Sequence, residues 1–277
     1  MELWSKQVLQ PSLTYRWAVG PLEMWLRGER DELHVATKHG DEAAEAHRLV
    51  PFEPCEPSVD GLDWARWIVH PDGTSMPERL DVQLVPVMPD RAVVARPESP
   101  LRLPMGTAAL FFVSIPVWVR LLGHGQARGA SGKADEPVLT LSEFPSLVLS
   151  NIWFGDAMSG ELCYSLTTTA RRQIEDESSR PHRARCPVYL RNDSEQELNI
   201  QRIRVHVAHL SVFDAGRRLW TNRVNITYKG EEAGSQMEFV PGPPQEADGP
   251  AIVVGEPREP AQRRFWTRAF AALDSLF

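Results

Sequence analysis

The stretch LVLSNIWFGDAMSGELCYSLTTT, residues 147–169, decides the fold class. Its two apolar segments, 147–154 and 161–169, flank a turn at 155–160 that begins and ends with glycine and carries an aspartate. Short apolar or alternating segments on either side of such a turn are typical of a β-hairpin. We therefore predict two antiparallel strands joined by a tight turn.

The same pattern recurs along most of the chain. Apolar or alternating segments of 5 to 10 residues alternate with clusters of Gly, Pro, Asp and Asn, whereas a helix-compatible segment near the N-terminus is confined to residues 41–48. Strands are predicted at 22–27, 33–37, 64–69, 81–87, 108–115, 117–122, 186–190 and 219–228. The sequence therefore predicts a mainly β protein.

Five prolines lie between residues 86 and 104, and they mark the predicted junction between two domains. Each proline removes a backbone donor and fixes φ, so a central strand cannot continue through this interval. We predict an N-terminal β domain over 1–90, a larger antiparallel domain over 91–243, and a linker with a helix over 244–277. Both β domains are expected to be sandwich-like or barrel-like, the second immunoglobulin-like. The charged segment 171–185 is a rival boundary.

Residues 198–213, LNIQRIRVHVAHLSVF, alternate between apolar and polar side chains, but the parity of the apolar positions changes twice. A β-bulge shifts the side-chain alternation by one residue. We therefore predict one long strand with two bulges.

The C-terminal residues carry apolar side chains at three-to-four spacing, which is typical of one face of a helix. We predict an amphipathic helix whose interaction residues are Phe265, Trp266, Phe270, Leu273 and Phe277. Such a face suits a partner protein, self-association, a membrane surface or docking onto the chain's own sheet.

Composition excludes several classes of protein. The 277 residues carry a net charge of -7, which disfavours nucleic acid as a partner, and the 42% hydrophobic content predicts a folded core. The longest apolar run, 107–119, is interrupted by Pro116 and is too short to span a bilayer. The three cysteines are scattered, which favours a reducing cytoplasm over a disulfide framework.

No catalytic constellation emerges from the sequence, so the interpretation leans away from an enzyme, and no cofactor is expected. His206 and His209 are weak metal candidates, because residues three apart on a regular strand point to opposite faces. Asp156 and Glu161 flank one turn and could approach each other as an acid and base pair. The nine tryptophans either fill the core or, where exposed, form a ligand platform.

Several segments resemble an uncharacterised prokaryotic family of β-rich proteins classified only as a domain of unknown function. They are Pro100–Pro104, Phe111–Val119, Glu161–Tyr164, Arg185–Val188 and Asn192–Ser194. Some members of that family are encoded beside small mechanosensitive channels, so the resemblance implies an accessory or regulatory role. These segments carry strand and turn residues, and no functional residue carries over.

We therefore expect a non-enzymatic binding or accessory protein, with a membrane protein as one candidate partner. The first alternative is a small-ligand or carbohydrate-binding module that uses exposed tryptophans. The second is a metal-dependent hydrolase assembled from residues on distant strands.

Overall fold

The structure is a computed structural model that describes residues 2–29, 32–56, 61–68, 80–124, 138–173, 180–216, 218–231, 233–247, 249–260 and 264–267. The strands within these ranges are β1 (Lys6–Leu9), β2 (Thr14–Val19), β3 (Leu22–Glu29), β4 (Glu32–His39), β5 (Leu49–Cys55), β6 (Trp64–Ile68), β7 (Leu80–Val87), β8 (Val93–Ala95), β9 (Leu101–Leu103), β10 (Ala108–Pro116), β11 (Trp118–His124), β12 (Val138–Pro145), β13 (Ser150–Phe154), β14 (Glu161–Ser165), β15 (Arg183–Asn192), β16 (Leu198–Ile200), β17 (Ile203–Val205), β18 (Val212–Asp214), β19 (Leu219–Thr221), β20 (Val224–Tyr228), β21 (Ser235–Phe239), β22 (Ile252–Gly255) and β23 (Arg264–Thr267).

The prediction of a mainly β protein is confirmed. Helical structure in the described ranges is limited to one α-helical turn, α1 (Glu42–Glu45), and two 3₁₀ turns, Glu2–Trp4 and Val207–His209. Asp41 caps α1, because its side chain accepts a hydrogen bond from the Ala43 amide at 3.0 Å. In the described part of the chain, no helix is long and apolar enough to cross a membrane.

The predicted C-terminal helix is wrong over Arg264–Thr267, which form strand β23. This strand pairs antiparallel with β21, so that Met237 lies opposite Phe265 and Gln236 opposite Trp266. Adjacent aromatic residues suit a strand, and the edge of β21 supplies the backbone partners that decide between strand and helix in so short a segment. Phe270, Leu273 and Phe277 lie outside the described residues.

The chain divides into two compact units that alternate along the sequence. The first unit comprises residues 1–86, 118–147 and 180–182, and the second comprises 87–117, 148–179 and 183–277. The first unit therefore contains β1–β7, β11 and β12, and the second contains the remaining strands.

The first unit contains two sheets. One has the strand order β1-β7-β11-β12, and the other has the order β5-β2-β3-β4-β6 with antiparallel pairing throughout. Their buried side chains include Trp17, Leu22, Met24, Leu84 and Leu121. Burying these large apolar groups is the main source of stability available to an all-β unit of this kind.

In the second unit, the long strand β15 lies at the centre of the largest sheet. One edge of β15 pairs antiparallel with β10 along its length, and the other edge pairs parallel first with β19 and then with β20. This differs from the purely antiparallel pairing predicted from the sequence. Beyond β19 the sheet continues to β18 and β22, and beyond β20 it continues to β21 and β23.

We call β19, β18 and β22 one wing of this sheet, and β20, β21 and β23 the other. The two wings separate at Asn222, which lies between β19 and β20. Three residues separate Ala184 from Val188 on β15, whereas four separate their partners Leu219 and Val224, so one extra residue interrupts the ladder. The buried Asn222 side chain donates to the carbonyls of Val240 and Gly242, each at 3.1 Å, and accepts from the Ser211 amide at 2.7 Å. One amide therefore joins the two wings.

Residues 198–213 do not form the one long strand that the alternation predicts. They form β16, β17, a 3₁₀ turn and the start of β18, which lie in three different sheets. β16 pairs with β9, β17 with β8, and β18 with β19 and β22. The parity changes therefore mark places where the chain leaves one sheet for another.

Candidate interaction surface

The hairpin of β13 and β14 has one buried face and one exposed face. Ile152 lies opposite Cys163 on the inner face, where Phe154, Cys163, Ala92 and Val94 form a buried cluster. Strand residues alternate between faces, so Asn151 and Trp153 lie on the other face, opposite Tyr164 and Leu162. There Trp153 is 48% exposed and Leu162 is 42% exposed.

The exposed Trp153 ring is held in place by the hairpin turn. Its indole Nε1 donates to the Asp156 carbonyl at 3.0 Å, and the same carbonyl accepts from the Gly160 amide at 2.7 Å. The indole lies so close to Gly160 that a Cβ there would overlap it. The turn sequence thus fixes the orientation of a large apolar side chain that half faces solvent.

The outer edge of β13 has no strand partner in the described part of the chain. The Tyr164 and Leu166 amides donate to the Ala92 and Val94 carbonyls of the neighbouring strand, both at 2.9 Å. Backbone groups alternate between the two edges of a strand, so Cys163 bonds toward β13 and pairs with Ile152. The N–H and C=O groups of Asn151 and Trp153 therefore point away from the sheet.

A cationic group lies at one end of the exposed face. The Arg91 guanidinium lies 5.5 Å from the centroid of the Tyr164 ring and donates to the Asn151 side-chain oxygen at 3.3 Å. The Tyr164 hydroxyl donates to Asp90 at 2.9 Å. Burial raises the pKa of Tyr164, and the hydrogen bond to Asp90 raises it further, so the hydroxyl stays protonated and keeps this contact.

We call the outward-facing side chains of this region the hairpin surface: the exposed Asn151, Trp153, Met158 and Leu162, and the half-buried Tyr164. Met158, in the turn, is 97% exposed. Exposed aromatic and methionine side chains close together on a rigid element are typical of protein-binding surfaces.

The structure answers the question of tryptophan exposure. Trp4, Trp17, Trp25 and Trp220 are buried and fill the cores of their units. Trp64 and Trp118 are half-buried, Trp67 is 36% exposed, and Trp153 is the most exposed of the tryptophans whose side chains are described.

Trp153 is one of the nine tryptophans considered from the sequence, but it is not singled out there as the exposed one. The available signal was the alternation within 150–154, which places Trp153 on the face opposite Ile152 and Phe154.

The two histidines that were weak metal candidates have partners or surroundings within the protein: His206 is largely buried, and His209 contacts Pro260 and Glu259. Burial lowers the pKa of His206 to about 4, with further lowering by the neighbouring charges of Arg204 and His209. His209 lies 3.1 Å from the Pro260 carbonyl through Nδ1 and 3.5 Å from Glu259 through Nε2. In the described ranges, no group of three or more His, Cys, Asp or Glu side chains is arranged to hold a metal ion.

The two carboxylates that flank the hairpin turn have different partners. Glu161 forms a 2.9 Å ion pair with Arg204, whose guanidinium lies over the Phe154 ring at 4.9 Å. Asp156 accepts a hydrogen bond from the Ser159 hydroxyl at 3.2 Å. Each carboxylate therefore stabilises local structure.

Two of the thiols lie in surroundings that suppress the thiolate. Burial raises the pKa of Cys163 to about 11 and that of Cys186 to about 12. A nucleophilic cysteine needs the opposite shift, because the thiolate is the reactive species.

The predicted interaction residues of the C-terminal segment are only partly placed. Phe265 and Trp266 lie in β23, at the edge of a wing of the large sheet, and their role in binding stays a prediction. Phe270, Leu273 and Phe277 lie outside the described residues.

Comparison with known proteins gives one match. Residues 3–274 match the model of the family described as "Protein of unknown function (DUF432)". No curated protein and no solved structure matches the chain. The resemblance to a domain of unknown function is thereby confirmed, and because the match covers nearly the whole chain, this protein belongs to the family Protein of unknown function (DUF432).

Proposed function

We propose that the protein is a non-enzymatic binding protein that engages a protein partner through the hairpin surface. The observation that carries this proposal is Trp153, a half-exposed indole whose position is fixed by its hydrogen bond to the Asp156 carbonyl. Exposed tryptophans often dominate the binding energy of protein interfaces. A ring that is already oriented loses little further entropy on binding.

The surroundings of Trp153 support the same proposal. Leu162 lies directly across the hairpin from it, and Met158 in the adjoining turn is almost fully exposed. The outward backbone groups of Asn151 and Trp153 provide donors and acceptors beside these apolar groups. An extended segment added to this edge gains main-chain hydrogen bonds together with contact to the indole.

The chemistry of the titratable groups favours binding over catalysis. The raised pKa values of Cys163 and Cys186 make both thiols poor nucleophiles, and Glu161 is paired with Arg204. The lowered pKa of His206, which directly precedes the 3₁₀ turn Val207–His209, leaves its side chain neutral near pH 7. Each of these groups contributes to packing or to an ion pair where it lies.

The accessory role implied by the family resemblance, with a membrane protein as a candidate partner, belongs to this proposal. So do a contribution of the C-terminal residues to binding and an immunoglobulin-like sandwich in the second unit. A cytoplasmic location is also proposed, and the three free cysteines favour a reducing compartment. Cell fractionation followed by immunodetection checks the location.

Site-directed photo-crosslinking in the native cell tests the hairpin surface. A photoreactive amino acid at Met158 is compared with the same probe at Met105, which is 65% exposed and lies in the loop between β9 and β10. We expect a discrete crosslinked protein from position 158 only, and at least tenfold less of it when Trp153→Ala is added, because removal of a central aromatic typically costs about 2 kcal/mol or more. Equal crosslinking from both positions, or no effect of Trp153→Ala, contradicts the proposal.

A carbohydrate ligand is the second candidate, and the exposed indole of Trp153 is the observation that favours it, since sugars stack on exposed aromatic rings. Titration of the intrinsic fluorescence against a glycan panel tests it. Saturable quenching that disappears in Trp153→Phe, but persists in Trp67→Phe, would support this candidate over a protein partner.

A further inference from the structure

We propose that β13 pairs antiparallel with β13 of a second copy of this chain, about a two-fold axis that passes through Ile152. This inference rests on the proposed function of the hairpin surface and names its partner. In the resulting dimer the four-stranded sheet of each copy continues into that of the other across the β13 edges.

The backbone of β13 is suited to pairing with itself. The outward N–H and C=O groups belong to Asn151 and Trp153, as the bonds of Tyr164 and Leu166 to the neighbouring strand require. A two-fold axis at Ile152 places Asn151 of each copy opposite Trp153 of the other. Each such pair exchanges both of its N–H···O=C bonds, as the narrow pairs of an antiparallel ladder do.

The side chains of the exposed face match across the same axis. Within one copy, Asn151 lies opposite Tyr164 and Trp153 lies opposite Leu162. Pairing about Ile152 therefore produces a continuous row across the two hairpins: Tyr164, Asn151, then Trp153 and Leu162 of the second copy. By symmetry, a second row runs in the other direction, so the exposed indole of each copy gains Asn151 of the other copy as a neighbour.

The charges also favour a second copy. Residues 150–154, SNIWF, contain no charged side chain, so pairing β13 with itself opposes no like charges. Arg91 is held against Asn151 on the exposed face, at 3.3 Å from its side-chain oxygen. In the dimer this guanidinium adjoins the indole of Trp153 from the second copy, where a cation–π contact adds to the pairing.

Three other edge strands in the described part of the chain carry features that prevent pairing with a second molecule, and β13 lacks them. β5 contains Pro51 and Pro54, β6 carries the exposed Arg66, and the pairing of β22 is interrupted by a register shift. Prolines, charges and bulges are the usual protection of an exposed edge. The β13–β14 register is continuous and its edge strand has no proline, which fits an edge that a second copy covers.

Sedimentation of the full chain over a range of concentrations tests this pairing. We expect the wild type to change with concentration from a species of 31.2 kDa to one of twice that mass. Asn151→Pro removes one outward N–H and leaves the ladder to β14 intact, and Trp153→Lys places a charge on the exposed face. Each variant is expected to raise the dissociation constant at least tenfold, whereas Ile252→Lys, at a 63% exposed position on β22, leaves it unchanged.

Amide hydrogen exchange of the wild type gives an independent measurement that needs no variant, so a variant that fails to fold cannot confuse the result. The Asn151 and Trp153 amides should become protected as the concentration rises, while the Ile152 amide, which bonds to β14, is protected at all concentrations. A chain that stays monomeric at the highest concentration reached, or a dimer whose Asn151 and Trp153 amides exchange freely, overturns the self-pairing. A monomer that still crosslinks a different protein from position 158 would overturn only the self-pairing and leave the proposed function standing.

Discussion

Gly20 is a position in the first unit where the backbone conformation and a close contact both require glycine. Its φ of +56° lies in the left-handed region, and a Cβ at this position would overlap the imidazole ring of His182. His182 is fully buried, and its Nε2 lies 3.3 Å from Glu42. Residues 180–182 are thus held to the first unit by a close contact that only glycine permits.

Substitution Gly20→Ala should therefore destabilise the protein more than the same change at a glycine with open space around it. Gly106 is the matched control, because its φ is +71° and no atom lies within 4 Å of its Cβ position. Backbone strain alone costs about 1 kcal/mol at Gly106, and overlap with the imidazole adds about 1 to 3 kcal/mol at Gly20. Urea unfolding of the two variants measures the difference, and equal losses would show that His182 moves aside without cost.

His206 predicts a dependence of stability on pH. Its pKa is about 4 in the folded protein and 6.5 when exposed, so the unfolded chain binds more protons between these values. Stability is therefore greatest above pH 6.5 and falls as the pH decreases toward 4, by up to roughly 3 kcal/mol. The free energy of unfolding measured at pH 7 and at pH 5 should differ less in His206→Gln than in the wild type. An identical difference in both proteins would assign the pH dependence to other groups.

Asn222 acts at the scale of the elements, because it connects both wings of the large sheet. Its side chain bonds to the Ser211 amide on one side and to the Val240 and Gly242 carbonyls on the other. Removing the amide leaves all three backbone groups without this buried partner, and each such loss is unfavourable.

We expect Asn222→Ala to lower the free energy of unfolding by about 2 to 4 kcal/mol. Asn199→Ala is the matched control, since Asn199 is an exposed residue of β16 and its replacement should cost little. Urea unfolding gives both values. Similar small losses in the two variants would mean that water replaces the Asn222 bonds.

The elements also show which parts of the fold the sequence could predict. The hairpin at 147–169 was predicted from a local turn between two apolar segments, and β13 and β14 lie within it. The three-to-four spacing of the C-terminal apolar residues predicts a helix, but residues 264–267 form a strand because they pair with β21, and local spacing carries no information about that partner. Likewise, local alternation could not tell that β16, β17 and β18 join three sheets.

Of the candidate site, the sequence could predict less. Alternation alone places Trp153 outward, but its exposure depends on what covers that face, which only the tertiary structure determines. β13 lies at the edge of its sheet because the other side of β14 pairs with β8. This parallel partner lies some 70 residues earlier in the chain. Surfaces assembled from distant strands leave no local signature.

At the scale of the whole molecule, the first unit is assembled from segments that are not contiguous. Its sheet β1-β7-β11-β12 takes two strands from the first 86 residues and two from residues 118–147. A fragment of residues 1–86 therefore lacks half of this sheet and exposes apolar side chains such as Leu84.

We expect this fragment to show no cooperative thermal unfolding by circular dichroism, whereas the full chain unfolds cooperatively. Addition of a second fragment of residues 87–277 should restore a cooperative transition if the missing strands suffice. Cooperative unfolding of the isolated fragment would show that the five-stranded sheet is stable by itself.

This interleaving also sets an order of events during protein synthesis. When β7 leaves the ribosome, its partner β11 has not been made, and β8, β9 and β10 must emerge before it. β10 likewise cannot pair until β15 has been made, and β15 is synthesised after β12, the last strand of the sheet β1-β7-β11-β12. Both units therefore spend part of translation with unpaired apolar strands, and this nascent chain is one that a ribosome-associated chaperone is expected to hold until residue 192 is exposed.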